Sequence, residues 1–96
     1  MGIDYDFERR EVTTTKPFIT INGEELLAWT VHEFIKELEG TDGFVSTVRP
    51  NHKYKKAAEA MIEDGLVNRT VRGSWYAEDE EKLKELKEML ETKFYE

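Results

Sequence analysis

The amino-acid sequence predicts an α+β fold, with helices and antiparallel strands in separate stretches of one domain. The chain has 96 residues, a length typical of a single domain. Apolar residues recur at helical spacing in three stretches, residues 24–39, 52–64 and 78–96. β-branched and aromatic residues are concentrated in two others, residues 12–21 and 66–77, as they are in strands. The predicted order is strand, helix, short element, helix, β-hairpin and helix.

The composition excludes several functional classes. Because the chain has no cysteine, it has no disulfide, thiolate metal site or cysteine nucleophile. No apolar run approaches the length of a membrane span, and no export signal is visible at the start. We therefore expect a cytoplasmic protein that makes no membrane contact. Aromatic residues form 11% of the chain, a content that argues against disorder even with 36% charged residues.

The start of the chain predicts an arm, a strand and a turn. Residues 1–11 are polar with mixed charge, so we expect a flexible N-terminal arm or an edge strand. The strand over residues 12–21 contains Pro17, which is tolerated at a sheet edge or at the start of a strand. Asn22 and Gly23 then predict the turn that follows.

The helical period begins at Glu24 and is expected to end at Gly40, a residue common just after a helix. Thr30 and Glu33 form a T-x-x-E capping box, which would restart a helix at Thr30. The sequence leaves open whether residues 24–39 form one helix or a short turn followed by a second helix. The apolar face consists of Leu27, Val31, Phe34, Ile35 and Leu38.

The middle of the chain predicts a short element and then the clearest helix. Residues 41–49 fit one helical turn or a brief strand, and Pro50 places a break after them. Asn51 is a favourable N-cap for the helix over residues 52–64, which Gly65 is expected to close. Its apolar face consists of Tyr54, Ala57, Ala58, Met61 and Ile62.

The last third of the chain predicts a hairpin and an acidic C-terminal helix. Two short strands within residues 66–77 flank the loop "VRG", and they complete a domain expected over residues 12–77. The helix in residues 78–96 carries acids in its first turn, as the helix dipole favours. Its apolar stripe packs on the domain or pairs with a second copy in a homodimer. The stripe consists of Leu83, Leu86, Met89, Leu90 and Phe94.

The stretch "HKYKKAAEAMIEDGLVNRTVRGSWYA" places a helix before a strand, a basic tip and a strand with an aromatic end. With these motifs, the chain from Val31 to Tyr76 resembles a winged helix-turn-helix domain. The resemblance implies that the helix enters the DNA major groove and that the hairpin, or wing, touches the backbone or minor groove. The implied recognition-helix residues are Asn51, His52, Lys53, Lys55 and Lys56, and the implied wing residues are Arg69 and Arg72.

The charge distribution gives an independent reason to examine these lysines. Residues 41–75 carry a net charge of +2, although the whole chain carries −7. A cation in the first turn of a helix costs about 0.3–1 kcal/mol relative to an acid, because it opposes the dipole. A phosphate bound at that end would offset this cost. Glu59 and Glu63 share the outward face and would repel a duplex, so only the first turn is expected to touch DNA.

The sequence contains no motif that carries catalysis. The glycines build no phosphate-binding loop, and no nucleophile elbow occurs, so we expect a protein that is not an enzyme and needs no cofactor. His32 and His52 lack the spacing of a metal site. Trp75 and Tyr76 would stack on a base or, as such aromatics more often do, fill the core.

Two functional hypotheses from different classes remain. The first is a small DNA-binding regulator, of the kind found as bacterial or phage accessory proteins. The second is an adaptor or inhibitor that binds a basic protein partner through the acidic faces of residues 24–39 and 78–96, in its sharpest form as a nucleic-acid mimic. An ordinary solvated surface would also account for the lysines and arginines.

Overall fold

The computed structural model describes residues 6–9, 17–41 and 43–94. It contains three helices and two small antiparallel sheets, which confirms the α+β class. The strands are β1 (Asp6–Arg9), β2 (Pro17–Ile21), β3 (Glu24–Leu27), β4 (Thr47–Val48), β5 (Val67–Arg69) and β6 (Trp75–Ala77). The helices are α1 (Ala28–Glu39), α2 (Lys55–Glu63) and α3 (Glu80–Phe94), and a 3₁₀ turn (His52–Tyr54) precedes α2.

The first sheet has the order β1-β2-β3, and both of its strand pairs are antiparallel. Pro17 begins the middle strand, so its place is a strand start and not a sheet edge. Of the alternatives for residues 1–11, the structure shows an edge strand over Asp6–Arg9. The rest of that segment, and residues 12–16 of the predicted strand, lie outside the described residues.

Residues 24–27 form strand β3, so the prediction that the helix begins at Glu24 is wrong. Asn22 and Gly23 have φ angles of 52° and 81°, which is the backbone that a two-residue hairpin turn requires. The turn folds β3 back on β2 and buries Leu26 opposite Ile19. The local hairpin geometry therefore overrides the helical period of the apolar residues.

Helix α1 runs without interruption from Ala28 to Glu39, so the capping box expected at Thr30 does not form. Its N-cap is Leu27, whose backbone is extended and whose side chain makes no capping hydrogen bond. At the other end Gly40 has a φ of 55°, and its N–H donates to the carbonyl of Lys36 at 3.0 Å. The predicted glycine stop is confirmed.

The second sheet has the order β4-β6-β5 and brings the hairpin against the short element before α2. Val48 of β4 pairs with Trp75 of β6, and Val67 of β5 pairs with Ala77. The short element is thus a brief strand, and the described residues between 43 and 50 contain no helix. Helix α2 ends as predicted, because the N–H groups of Gly65 and Leu66 donate to the carbonyls of Ile62 and Met61.

One apolar core joins the two sheets and the three helices. Phe34 of α1 lies at its centre, with ring centroids 5.2 Å from Tyr54 and 5.4 Å from Trp75. Trp75 is only 3% exposed, so it fills the core and is not available to stack on a base. Leu83, Leu86 and Leu90 of α3 are fully buried in the same cluster. The body of this chain therefore covers the main stripe of α3.

Candidate nucleic-acid interface

Asn51 sets the position of the cationic side chains before and within α2. Its side-chain oxygen Oδ1 accepts a hydrogen bond from the backbone N–H of Tyr54 at 3.2 Å, which caps the 3₁₀ turn. The chain continues from this turn into α2, whose first turn contains Lys55 and Lys56 and no acid. Because Tyr54 is buried, the turn keeps His52 and both lysines on the outside of the domain.

Lys53 differs from the other lysines because its charge is already paired inside the chain. Its ammonium group donates to the carboxylate of Glu33 on α1, and this hydrogen bond raises the pKa of Lys53. The ammonium nitrogen also lies 5.4 Å from the centroid of the Tyr54 ring. Of the three lysines that the sequence places at the start of this helix, Lys53 is thus paired with Glu33, whereas Lys55 and Lys56 make no ion pair within the described residues.

The hairpin carries the other two cations, Arg69 and Arg72. Three hydrogen bonds close its loop. Thr70 N–H donates to the Ser74 carbonyl at 2.7 Å, Ser74 N–H to the Thr70 hydroxyl at 3.1 Å, and Gly73 N–H to the Thr70 carbonyl at 2.9 Å. Arg72 is exposed in this loop beside Gly73, whose φ of 90° makes the tight bend possible. Arg69 is exposed on β5, directly across from Trp75.

A groove of about 330 Å³, here called the His52 groove, runs between the start of α2 and the hairpin. It brings His52 and Lys55, from the start of α2, together with Arg69 of the hairpin strand β5. Lys56 faces a neighbouring groove of about 460 Å³, the Lys56 groove, which also contains Arg69. The His52 groove is lined by Pro50, Asn51, His52, Lys55, Glu59, Arg69, Gly73 and Trp75.

The four cations Lys55, Lys56, Arg69 and Arg72 are here called the basic surface. All four are exposed, and within the described ranges none of them makes an ion pair with the chain's own carboxylates. Unpaired cations beside a groove can bind the phosphates of a ligand without first breaking an internal bond. These four cations are among the residues that the sequence resemblance implied at a DNA contact.

Sequence reasoning missed a second polar cluster between α1 and α3. His32 Nε2 donates to Glu91 Oε2 at 2.9 Å, and this hydrogen bond holds the pKa of Glu91 below its ordinary value of 4.5. Beside it, the rings of Trp29 and Phe94 stack with centroids 4.0 Å apart. His32 and Glu91 are 59 positions apart in sequence, so no local pattern could have found the pair.

In the part of the chain that is described, no group of three or more acidic or histidine side chains could hold a metal ion.

No protein-family model, curated protein or solved structure matches this chain. Among the residues that the structure describes, no helix has the length and apolar content that crossing a bilayer requires.

Proposed function

We propose that the protein binds duplex DNA through the basic surface and acts as a small regulator without catalytic activity. The observation that carries the proposal is the convergence of Lys55, Lys56 and Arg69 on two adjoining grooves, because these cations make no ion pair within the described residues. Arg72 is exposed in the hairpin loop next to Gly73, which lines the His52 groove. Lysines in the first turn of α2 oppose the helix dipole, and bound phosphate would compensate that cost.

The placement of the hairpin beside α2 supports this proposal. A helix followed by a hairpin with a basic tip is present, and the β4-β6-β5 sheet holds the hairpin beside the start of α2. In the described residues between 43 and 50 the one element is β4 (Thr47–Val48), where a helix-turn-helix pair would have its first helix. DNA contact is therefore assigned to the start of α2 and the hairpin alone.

The net charge of −7 does not prevent this binding. At physiological salt the field of an exposed charge is largely screened beyond about 8 Å, so carboxylates elsewhere on the surface act weakly at the contact. The acids that do matter line the two grooves, and they are Glu24 of β3 and, on the outward side of α2, Glu59 and Glu63. They limit the contact to the first turns of the helix, where Lys55 and Lys56 lie.

The test is a charge reversal with a matched control. The double variant Lys55→Glu and Arg72→Glu removes one cation from α2 and one from the hairpin, and we expect it to abolish binding to a duplex. The control, Lys82→Glu with Lys84→Glu, makes the same change of total charge on the exposed side of α3. We expect the control to bind as the wild type does. Unfolding of each variant in urea verifies that the fold is intact.

Salt dependence measures how many phosphates are contacted. The logarithm of the association constant should fall with the logarithm of salt concentration, with a slope of about −0.9 for each phosphate that is neutralised. If the wild type shows no retention of duplex DNA at about 50 mM salt, where nonspecific contacts are strong, the proposal is wrong.

A second candidate function is favoured by the exposed acidic side chains of α3. Four glutamates of α3 are exposed and make no ion pair in the described part of the chain. These are Glu80, Glu81, Glu85 and Glu88. Such a face fits an adaptor or inhibitor that binds a basic protein. Changing all four to lysine should destroy capture of that partner in a pull-down, while the Lys55 and Arg72 reversal should leave it unchanged. Capture that survives the four changes rules this candidate out.

A further inference from the structure

The two histidines of the chain lie in contrasting surroundings. His32 is enclosed between α1 and α3, where its side chain is 12% exposed and its ring donates to Glu91. His52 begins the 3₁₀ turn before α2 and is exposed. Within the described residues the side chain of His52 makes no hydrogen bond and no ion pair. Its ring is therefore available to a ligand that enters the His52 groove.

The fixed charges of the His52 groove leave it only weakly positive. Lys55 and Arg69 each contribute a positive charge and Glu59 a negative one, so the groove carries a net charge of +1 while His52 is neutral. Protonation of the imidazole raises this charge to +2. Glu59 repels phosphate, and the added proton offsets that repulsion within the same groove. The charge of His52 thus decides how strongly the groove attracts an anion.

The charged groups on the α1 side of the turn are occupied with one another. Helix α1 packs against the 3₁₀ turn where Phe34 meets Tyr54. There Glu33 pairs with Lys53, and Glu37 acts on the same lysine. None of these three charged side chains lines the His52 groove.

The remaining charged neighbours keep a constant charge near neutral pH. Arg49 precedes the groove residue Pro50, and Arg72 precedes the groove residue Gly73. Histidine is the only side chain whose charge ordinarily changes between about pH 5 and pH 8. Among the residues that line the groove, only His52 is of this type.

We propose that protonation of His52 strengthens the hold of the basic surface on phosphate, so that the protein binds duplex DNA more tightly at mildly acidic pH. This inference rests on the proposed function and adds its regulation by pH. A nearby phosphate favours the charged imidazole over the neutral one, so binding is accompanied by proton uptake. The affinity therefore rises as the pH falls.

The experiment titrates one duplex with wild type and His52→Gln at about pH 8 and about pH 5.5, where an ordinary histidine is neutral and charged respectively. At about 50 mM salt we expect the association constant of the wild type to be about tenfold higher at the lower pH. The slope against salt should also steepen by up to about 0.9, the value for one more phosphate. His52→Gln should bind equally at both pH values.

Two further variants separate His52 from a general effect of pH. His52→Lys carries a permanent positive charge, and it should bind at pH 8 as tightly as the wild type binds at pH 5.5. His32→Gln removes the other histidine and should keep the pH dependence of the wild type. Urea unfolding at both pH values verifies that each variant is folded.

The possible failures have different meanings. An equal affinity of the wild type at the two pH values overturns the inference but leaves DNA binding standing. An unchanged pH dependence in His52→Gln, or its loss in His32→Gln alone, also overturns the inference. If the wild type binds no duplex at either pH, the proposed function itself fails and the inference fails with it.

Discussion

The α1–α3 side of the molecule pairs its charges across elements, whereas the α2–hairpin side leaves its cations unpaired. Between α1 and α3, Lys87 Nζ donates to Glu39 at 2.6 Å and His32 donates to Glu91 at 2.9 Å. On the basic surface, Lys55, Lys56, Arg69 and Arg72 make no such contact within the described residues.

This difference separates charges that are paired within the fold from cations that make no ion pair within the described residues. Lys87 and Glu39 are partly buried, at 21% and 30% side-chain exposure, so their bond is screened less than a surface pair. The same division occurs within one short segment. Lys53 makes an ion pair with Glu33 of α1, whereas Lys55, two positions on, makes no ion pair within the described residues. Variants on the first side should change stability, and variants on the second should change ligand binding.

The largest effect is expected at the apolar contact of α3. Leu86 is fully buried, so Leu86→Ala should lower the free energy of unfolding by about 3 kcal/mol through lost burial and the cavity that remains. The matched change on the hairpin is Val71→Ala, where the side chain is fully exposed. It should leave stability unchanged. Urea unfolding of both variants measures the two changes in the free energy of unfolding. Equal decreases for Leu86→Ala and Val71→Ala would contradict the expected difference between the two sides.

Substitutions at Asn51 should affect both stability and DNA binding, and their effect on the free energy of unfolding should be smaller than that of Leu86→Ala. Asn51→Ala removes the cap of the 3₁₀ turn and should cost about 1 kcal/mol of stability. Asn51→Asp keeps an acceptor oxygen, so it should restore stability while placing a new negative charge on the His52 groove. Weaker DNA binding with normal stability is the result expected for Asn51→Asp. Restored binding in this variant would count against the groove as the DNA contact.

The Lys87 and Glu39 pair should contribute about 1 kcal/mol, because a short bond at a partly buried site exceeds the usual exposed pair. A double-mutant cycle with Lys87→Met and Glu39→Gln isolates the coupling energy. The pair of Lys82 and Asp79, with an N–O distance of 4.0 Å and greater exposure, serves as the comparison. Its coupling should be close to zero. Equal coupling energies for the two pairs would contradict the expected difference between a partly buried and an exposed ion pair.

The smallest effect is a pH dependence at Glu91. The hydrogen bond from His32 lowers the pKa of the folded carboxyl below 4.5, so folding favours the ionised form. Its contribution to stability is complete above pH 4.5 and is lost as the pH falls through the lowered pKa. The difference in unfolding free energy between wild type and Glu91→Gln should therefore shrink below pH 4.5. A difference that stays constant from pH 7 to about pH 3 would contradict this account.

Local chemistry made much of the fold predictable. The turn at Asn22 and Gly23, the helix stops at Gly40 and Gly65 and the hairpin around Arg72 all depend on a few neighbouring residues, and all four are present. The sequence failed at residues 24–27, where apolar residues with helical spacing belong to a strand. The two signals competed there, and the turn geometry prevailed because it pairs Leu26 with Ile19 inside the core.

The candidate site was predictable in its composition but not in its pairings. The location of Lys55 and Lys56 at the start of α2 follows from Asn51, which is a local signal. The partner of Lys53 is Glu33, 20 positions away on another helix, and no periodicity in the sequence specifies such a contact. The meeting of Arg69 with His52 in one groove likewise depends on how the sheet places the hairpin.

The two tryptophans occupy the two sides of the molecule and differ sharply in environment. Trp29 is 45% exposed and stacks on Phe94, while Trp75 on the hairpin strand β6 is only 3% exposed and lies in the core. Their emission spectra should consequently differ, with Trp29 emitting further to the red and sensitive to added quencher. Single replacements by phenylalanine would thus provide one optical reporter for the C-terminal end of α3 and another for the core. Undocking of the last helix could then be followed separately from global unfolding.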